Sequence, residues 1–149
     1  MKESMNVAKS LAWNITPLDR KKELLKYFEE TKCQGLHIHC PEGAVSKDGP
    51  SAGTAITIAI YSLLNEKRIK NDVAITGEIN LQGEVTAIGG LDLKIQGGIR
   101  AGVKRFLYPK ANHKDFKDFL EIYGEKDMVN GIEFKEVSNI KEVFEHVYE

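Results

Sequence analysis

Two residues in this sequence, Ser51 and Lys94, combine a type and a setting that can do covalent chemistry. Ser51 lies in the run Lys47-Asp48-Gly49-Pro50-Ser51-Ala52-Gly53-Thr54, immediately before a long apolar stretch. A serine at the first turn of a helix faces unpaired backbone N–H groups and the positive end of the helix dipole. Such groups stabilise negative charge on the serine oxygen or on a neighbouring oxyanion. Gly49 and Gly53 lack a Cβ, so backbone and substrate can approach closely. Two plainer readings stay open: a serine that only caps its helix, and an anion cradle. The segment is not a phosphate-binding loop of the Walker type, because no Lys-Ser or Lys-Thr pair follows Gly53.

A serine hydroxyl needs a base. The histidines are His37, His39, His113 and His146, and no spacing pairs one of them with an aspartate. A lysine can serve if it is neutral. Lowering a lysine from ~10.4 to about 8 costs roughly 3 kcal/mol, so the site must desolvate it. Lys94 suits that demand. On a helix its neighbours three and four positions away are Gly90, Leu91, Gly97 and Gly98, a face without carboxylates and with room for close packing. Asp92 points elsewhere. Lys21, Lys22, Lys67 and Lys104 sit among charges instead. The plainer alternative for Lys94 is a surface lysine on an amphipathic helix. Gly97-Gly98 costs that helix about 1 kcal/mol per glycine, which suggests that the space is used.

Helices are expected over 5–13 and 18–30, the second with Pro17 at its start. The stretch 35–40 alternates as a strand, with Leu36, Ile38 and Cys40 on one face and His37 and His39 on the other. The stretch 41–50 is a loop. A helix from Ser51 to about Leu64 is apolar around most of its circumference and is expected to be buried. A strand starts at Val73, and 78–88 reads as a hairpin turning at Gln82-Gly83. Gly89-Gly90 opens the helix of Lys94, which Gly102 ends. A strand over 104–108, a helix over 112–120, a strand over 131–137 and a helix over 138–147 capped by Ser138 complete the chain. Without a regular βαβ repeat, this is an α+β or irregular α/β fold in a single domain, 1–149.

The 149 residues suffice for a real core, and a formal net charge of −1 offers no electrostatic case for nucleic acid or an anionic membrane. Two cysteines, Cys33 and Cys40, are too few for a disulfide framework, which favours a reducing, cytoplasmic setting. No stretch approaches the roughly 18 apolar residues of a membrane span, and the start, Met1-Lys2-Glu3-Ser4, lacks the hydrophobic run expected of a signal peptide. Cys33, His37, His39 and Cys40 carry metal-capable atoms, but strand alternation separates Cys40 from the histidines. Glu42 and Glu78 lie in turn-rich stretches that nothing brings together. Glu142, Glu145 and Glu149 read as a solvated face.

Three ordered blocks resemble the Lon protease family. The run from Pro41 to Gly53 resembles its nucleophile loop, Asp72 to Ile79 is similar to its central strand and turn, and Ile88-Gly89-Gly90-Leu91-Asp92-Leu93-Lys94 is similar to its Gly-Gly-Leu segment. Asp92 and Leu93 stand where the family usually has Lys and Glu, Gly97-Gly98 where it has alanines, and Ser46 where it has proline. The resemblance implies a proteolytic-domain fold related to the second domain of ribosomal protein S5. It also implies a serine endopeptidase with a Ser-Lys dyad: Ser51 attacks a peptide carbonyl, Lys94 takes its proton, and water releases the acyl-enzyme. Thr76 matches the threonine that bonds the lysine, Asp48 an acidic residue used for positioning or gating, and the amides near Ser51 and Ala52 are oxyanion-hole candidates. The family degrades unfolded proteins inside hexameric rings, fed by a fused AAA+ ATPase. That ATPase, with ATP and Mg, and the first strands of the protease domain are expected upstream of this segment, which itself needs no cofactor. Two competing functions are a small-molecule kinase of the homoserine and mevalonate kinase group and a catalytically silent Lon-like module. The first assigns no task to Lys94, and the second leaves the retention of both Ser51 and Lys94 unexplained.

Overall fold

The structure is a computed structural model that describes residues 1–33, 35–41 and 49–149. The elements run α1 (Lys2–Ile15), α2 (Leu18–Thr31), α3 (Gly53–Asn65), β1 (Val73–Ile75), β2 (Glu78–Ile79), β3 (Val85–Thr86), α4 (Leu91–Arg100), β4 (Arg105–Pro109), α5 (His113–Tyr123), β5 (Glu133–Val137) and α6 (Ile140–Val147). The fold is mixed α and β, as the sequence indicates.

The centre is a three-stranded parallel sheet in the order β1-β4-β5, with Ala74 opposite Phe106 and Phe106 opposite Phe134. A strand flanked on both sides and covered on both faces is apolar throughout, and Phe106, Leu107 and Tyr108 are all buried. Successive side chains point to opposite faces. Leu107 therefore joins Leu11, Ile58, Val137 and Val143 in a core shared with α1, α3 and α6. Phe106 and Tyr108 join Leu91, Ile95 and Phe119 in the core under α4 and α5. A third cluster, with Ala8, Ala12, Leu24, Ile60 and Tyr61, ties α1 and α2 to α3.

Several expectations need correcting. No strand forms over 35–40 among the described residues; His37, Ile38 and His39 are exposed and unladdered. Alternation encodes two faces of an extended chain, but a strand also needs a partner. α3 is central but not covered all round: Ala59 is exposed, and Leu63, 66% exposed, lines a cavity of about 1330 Å³ between α1, α2 and α3. The hairpin pairs only Glu78–Ile79 with Val85–Thr86, because Asn80 turns the chain earlier than Gln82-Gly83. Its Oδ1 accepts from the N–H groups of Gln82 and Glu84 at 3.1 and 2.9 Å. α6 is capped by Asn139, whose side chain accepts from the Glu142 N–H, rather than by Ser138. Gly102 does close α4. Its N–H donates to Ile99 O at 3.0 Å and that of Val103 to Gly98 O at 3.2 Å, the paired bonds of a Schellman motif. No helix of the described residues is long and apolar enough to cross a membrane.

Candidate active site

Ser51 lies in a turn ahead of α3, and that turn is tied to the chain between β1 and β2. The Gly77 N–H donates to Ser51 O at 3.0 Å, and the Thr54 N–H donates back to Gly77 O at 3.1 Å. Within the turn, the Gly53 N–H donates to Pro50 O at 3.1 Å. The N-cap of α3 is Ala52, and no side chain caps the helix. The capping role that a serine here could have filled is therefore not the one Ser51 performs.

Its hydroxyl meets Lys94 instead. Lys94 Nζ donates to Ser51 Oγ at 2.8 Å across 43 positions of sequence, and both residues are half-buried. Lys94 projects from the first turn of α4, whose N-cap, Gly90, adopts the left-handed conformation with φ 68°. Among the described residues Lys94 enters no ion pair. Asp92 is exposed. The floor beneath α4 is uncharged: Leu91 and Ile95 rest on Phe106 and Tyr108. Burial, aided by Glu136, pushes the Tyr108 phenol up to about 12, so it stays protonated near neutrality.

The other candidates are placed less tightly. Thr76 is 6% exposed and precedes Gly77, but among the described residues no hydrogen bond joins it to Lys94; its N–H donates to Leu107 O at 3.2 Å. The Ala52 N–H makes no hydrogen bond among the described residues and lies at the head of α3. Asp48 and Glu42 fall outside the described residues. Glu78 is exposed on β2. Among the described residues no group of three or more His, Cys, Asp or Glu can hold a metal ion.

Two residues of the surroundings escape sequence reasoning. Thr54 Oγ1 donates to Gly77 O at 2.9 Å, although the threonine reads as one more residue of an apolar helix. Asn112 reads as the first residue of a helix, yet it stands just before α5, makes no side-chain cap bond to it and is directed to Ile88.

A model of the Lon protease (S16) C-terminal proteolytic domain matches residues 1–149. The chain belongs to this family. It is 45% identical over 145 residues to the Lon protease of Citrifermentans bemidjiense, covering 97% of this chain and 17% of that protein. It is 39% identical over 145 residues to the Lon protease of Fervidobacterium nodosum, covering 97% and 16%. It is also 37% identical over 149 residues to the mitochondrial Lon protease homolog of Caenorhabditis elegans, covering 100% and 14%. The chain thus spans between 14% and 17% of the length of these relatives. Membership of the Lon family leaves the kinase alternative without support.

Proposed function

We propose that this chain is the peptidase part of a Lon-type protease and that it cleaves polypeptides through a Ser51–Lys94 dyad. The observation that carries this reading is the 2.8 Å contact between Lys94 Nζ and Ser51 Oγ. With the amine neutral, the same contact runs in the reverse sense. The Ser51 O–H donates to Nζ, the oxygen attacks the scissile carbonyl, and the proton passes through Lys94 to the leaving amine. Water then attacks the acyl-enzyme, giving its proton to Lys94, and Ser51 is regenerated. The Ala52 N–H, unengaged among the described residues, is the oxyanion donor we assign. Thr76 supports Lys94 once the amine swings toward its hydroxyl, and Asp48 serves positioning or gating.

In the intact protein the substrates are unfolded polypeptides, delivered into a homo-hexameric ring by an ATPase that binds ATP and Mg. The greater length of the relatives leaves room for that ATPase. Two free cysteines, Cys33 and Cys40, favour a reducing compartment such as the cytoplasm.

The test is intact-mass analysis after exposure to a fluorophosphonate. The expected result is one adduct, mapped to Ser51 and lost in Ser51→Ala. Lys94→Ala should form it slower by a thousandfold or more, on the order of the loss when one member of a catalytic unit is removed. An adduct that forms equally fast in Lys94→Ala ends the dyad. A Ser51 that stays unlabelled when an ATPase partner is supplied favours the silent module.

A further inference from the structure

The position of Lys94 depends on how α4 begins: Leu91 anchors that beginning in the core, but no side chain caps it. Its N-cap is a glycine with no side chain to accept the free N–H groups of the first turn. Its first backbone bond, from the Lys94 N–H to Gly90 O, is 3.2 Å long. Gly97 and Gly98 lower its intrinsic helical preference further.

The restraint comes from another part of the chain. Asn112 is 2% exposed, and its carboxamide pairs with both the N–H and the C=O of Ile88, as a neighbouring strand would. Oδ1 accepts from the Ile88 N–H at 2.9 Å, and Nδ2 donates to Ile88 O at 2.8 Å. The second Nδ2 hydrogen goes to Asp115 Oδ2 at 2.7 Å, which fixes the orientation of the amide. Asn112 is held in turn by the 3-10 turn Lys110–Asn112 that follows β4, the central strand. A chain of rigid contacts therefore runs from the middle of the sheet through Asn112 to Ile88, two residues before the Gly90 cap.

We infer that Asn112 is a positioning residue for Lys94: its carboxamide, oriented by Asp115, sets the entry of α4 and thereby holds Nζ against Ser51. This rests on the Ser51–Lys94 reading given above. A buried asparagine that served its own helix would accept from an N–H of α5, and this side chain makes no such cap bond. Both of its polar atoms are given to the segment that leads into α4. Displacing a reacting group by about 1 Å can cost on the order of a hundredfold in rate, so a clamp of this kind acts on chemistry without touching substrate.

The test is a double-mutant cycle read by nuclear magnetic resonance on the 149-residue chain with ¹³C-labelled lysines. The Lys94 ε-methylene resonance is assigned by Lys94→Arg. In the parent chain, Ser51→Ala moves that resonance, which reports the contact. In the Asn112→Ala background the same Ser51→Ala change leaves it in place, and fluorophosphonate labelling of Ser51 slows at least about tenfold. Asp115→Ala keeps both bonds to Ile88 and is the variant to use if Asn112→Ala does not fold; there the Ser51-dependent shift is smaller than in the parent. Folded variants at Asn112 or Asp115 whose Lys94 resonance responds to Ser51→Ala as the parent's does would overturn the inference and leave the dyad standing. A parent resonance indifferent to Ser51→Ala would overturn the dyad and the positioning role together.

Discussion

The carbonyl of Gly77 takes two hydrogen bonds from one residue, Thr54, through its backbone N–H at 3.1 Å and its side-chain hydroxyl at 2.9 Å. The Gly77 N–H answers with a bond to Ser51 O. The turn that carries the serine and the turn that follows β1 are therefore one hydrogen-bonded unit, and Thr54 is wholly buried within it. Thr54→Val keeps the shape and removes one of the two bonds. The expected cost is about 1 kcal/mol, the usual net worth of such a bond. Urea unfolding measures it, and fluorophosphonate labelling of Ser51 should slow alongside. Thr54→Ser keeps the hydroxyl and should label near the parent rate.

The same unit explains why position 77 favours glycine. A Cβ there would stand 2.5 Å from Val85 Cγ1 and 2.9 Å from Thr54 Oγ1. Val85 is core and cannot retreat freely. Gly77→Ala is expected to destabilise by about 1–3 kcal/mol, the usual range for overpacking. It should slow acylation of Ser51 in the fraction that stays folded. A double variant with Val85→Ala should recover part of the stability, which calorimetric midpoints would show.

Stability in acid should depend on Glu142. The Ser138 N–H, donated to Oε2 at 2.9 Å, holds its carboxyl below the usual range, and Ser138 Oγ and Asn139 Nδ2 both donate to Oε1. A carboxyl with a lowered folded value adds stability above its unfolded value of about 4.3 and loses it as pH falls through the lower folded one. Glu133 is shifted in the same direction by Lys135 and Arg105, so the contribution is isolated by difference. Urea midpoints of Glu142→Gln and the parent should differ at pH 7 and converge toward pH 3.

What could be read from the sequence was local, and what could not was an arrangement between distant segments. Lys94 stood out because residues three and four positions away on its helix include no carboxylate, and the structure gives it a serine partner and no ion pair among the described residues. Ser51 was legible as a reactive candidate but not separable from a cap until Ala52 was seen in the N-cap position. Asn112 was hidden by its own neighbourhood: an asparagine opening an apolar-periodic run reads as one more helical residue, and only the fold brings Ile88, 24 positions earlier, within reach. Segment 35–40 failed for the opposite reason, since its alternation was visible and its lack of a ladder was not. The parallel sheet also eluded reading, because register between β1, β4 and β5 leaves no mark in any one strand.

The two glycines of α4 should respond in opposite ways to the same change. Both lie inside the helix, where alanine in place of glycine is worth about 1 kcal/mol in propensity. At Gly97 a Cβ would meet nothing within 4 Å, so Gly97→Ala should collect that gain and raise the unfolding midpoint. At Gly98 a Cβ would lie 2.9 Å from Phe106 Cδ2 and 3.0 Å from Cε2. Phe106 is buried in the central strand and packed against Leu91 and Ile95, so α4 must lift from the sheet to admit a methyl group. Gly98→Ala should therefore lower the midpoint despite its better propensity. Because α4 carries Lys94, lifting it should also slow labelling of Ser51, whereas Gly97→Ala should leave labelling unchanged. Equal midpoints for the two variants would mean that α4 does not rest on Phe106 as closely as described, and that Gly98 is not what lets the lysine's helix sit against the sheet.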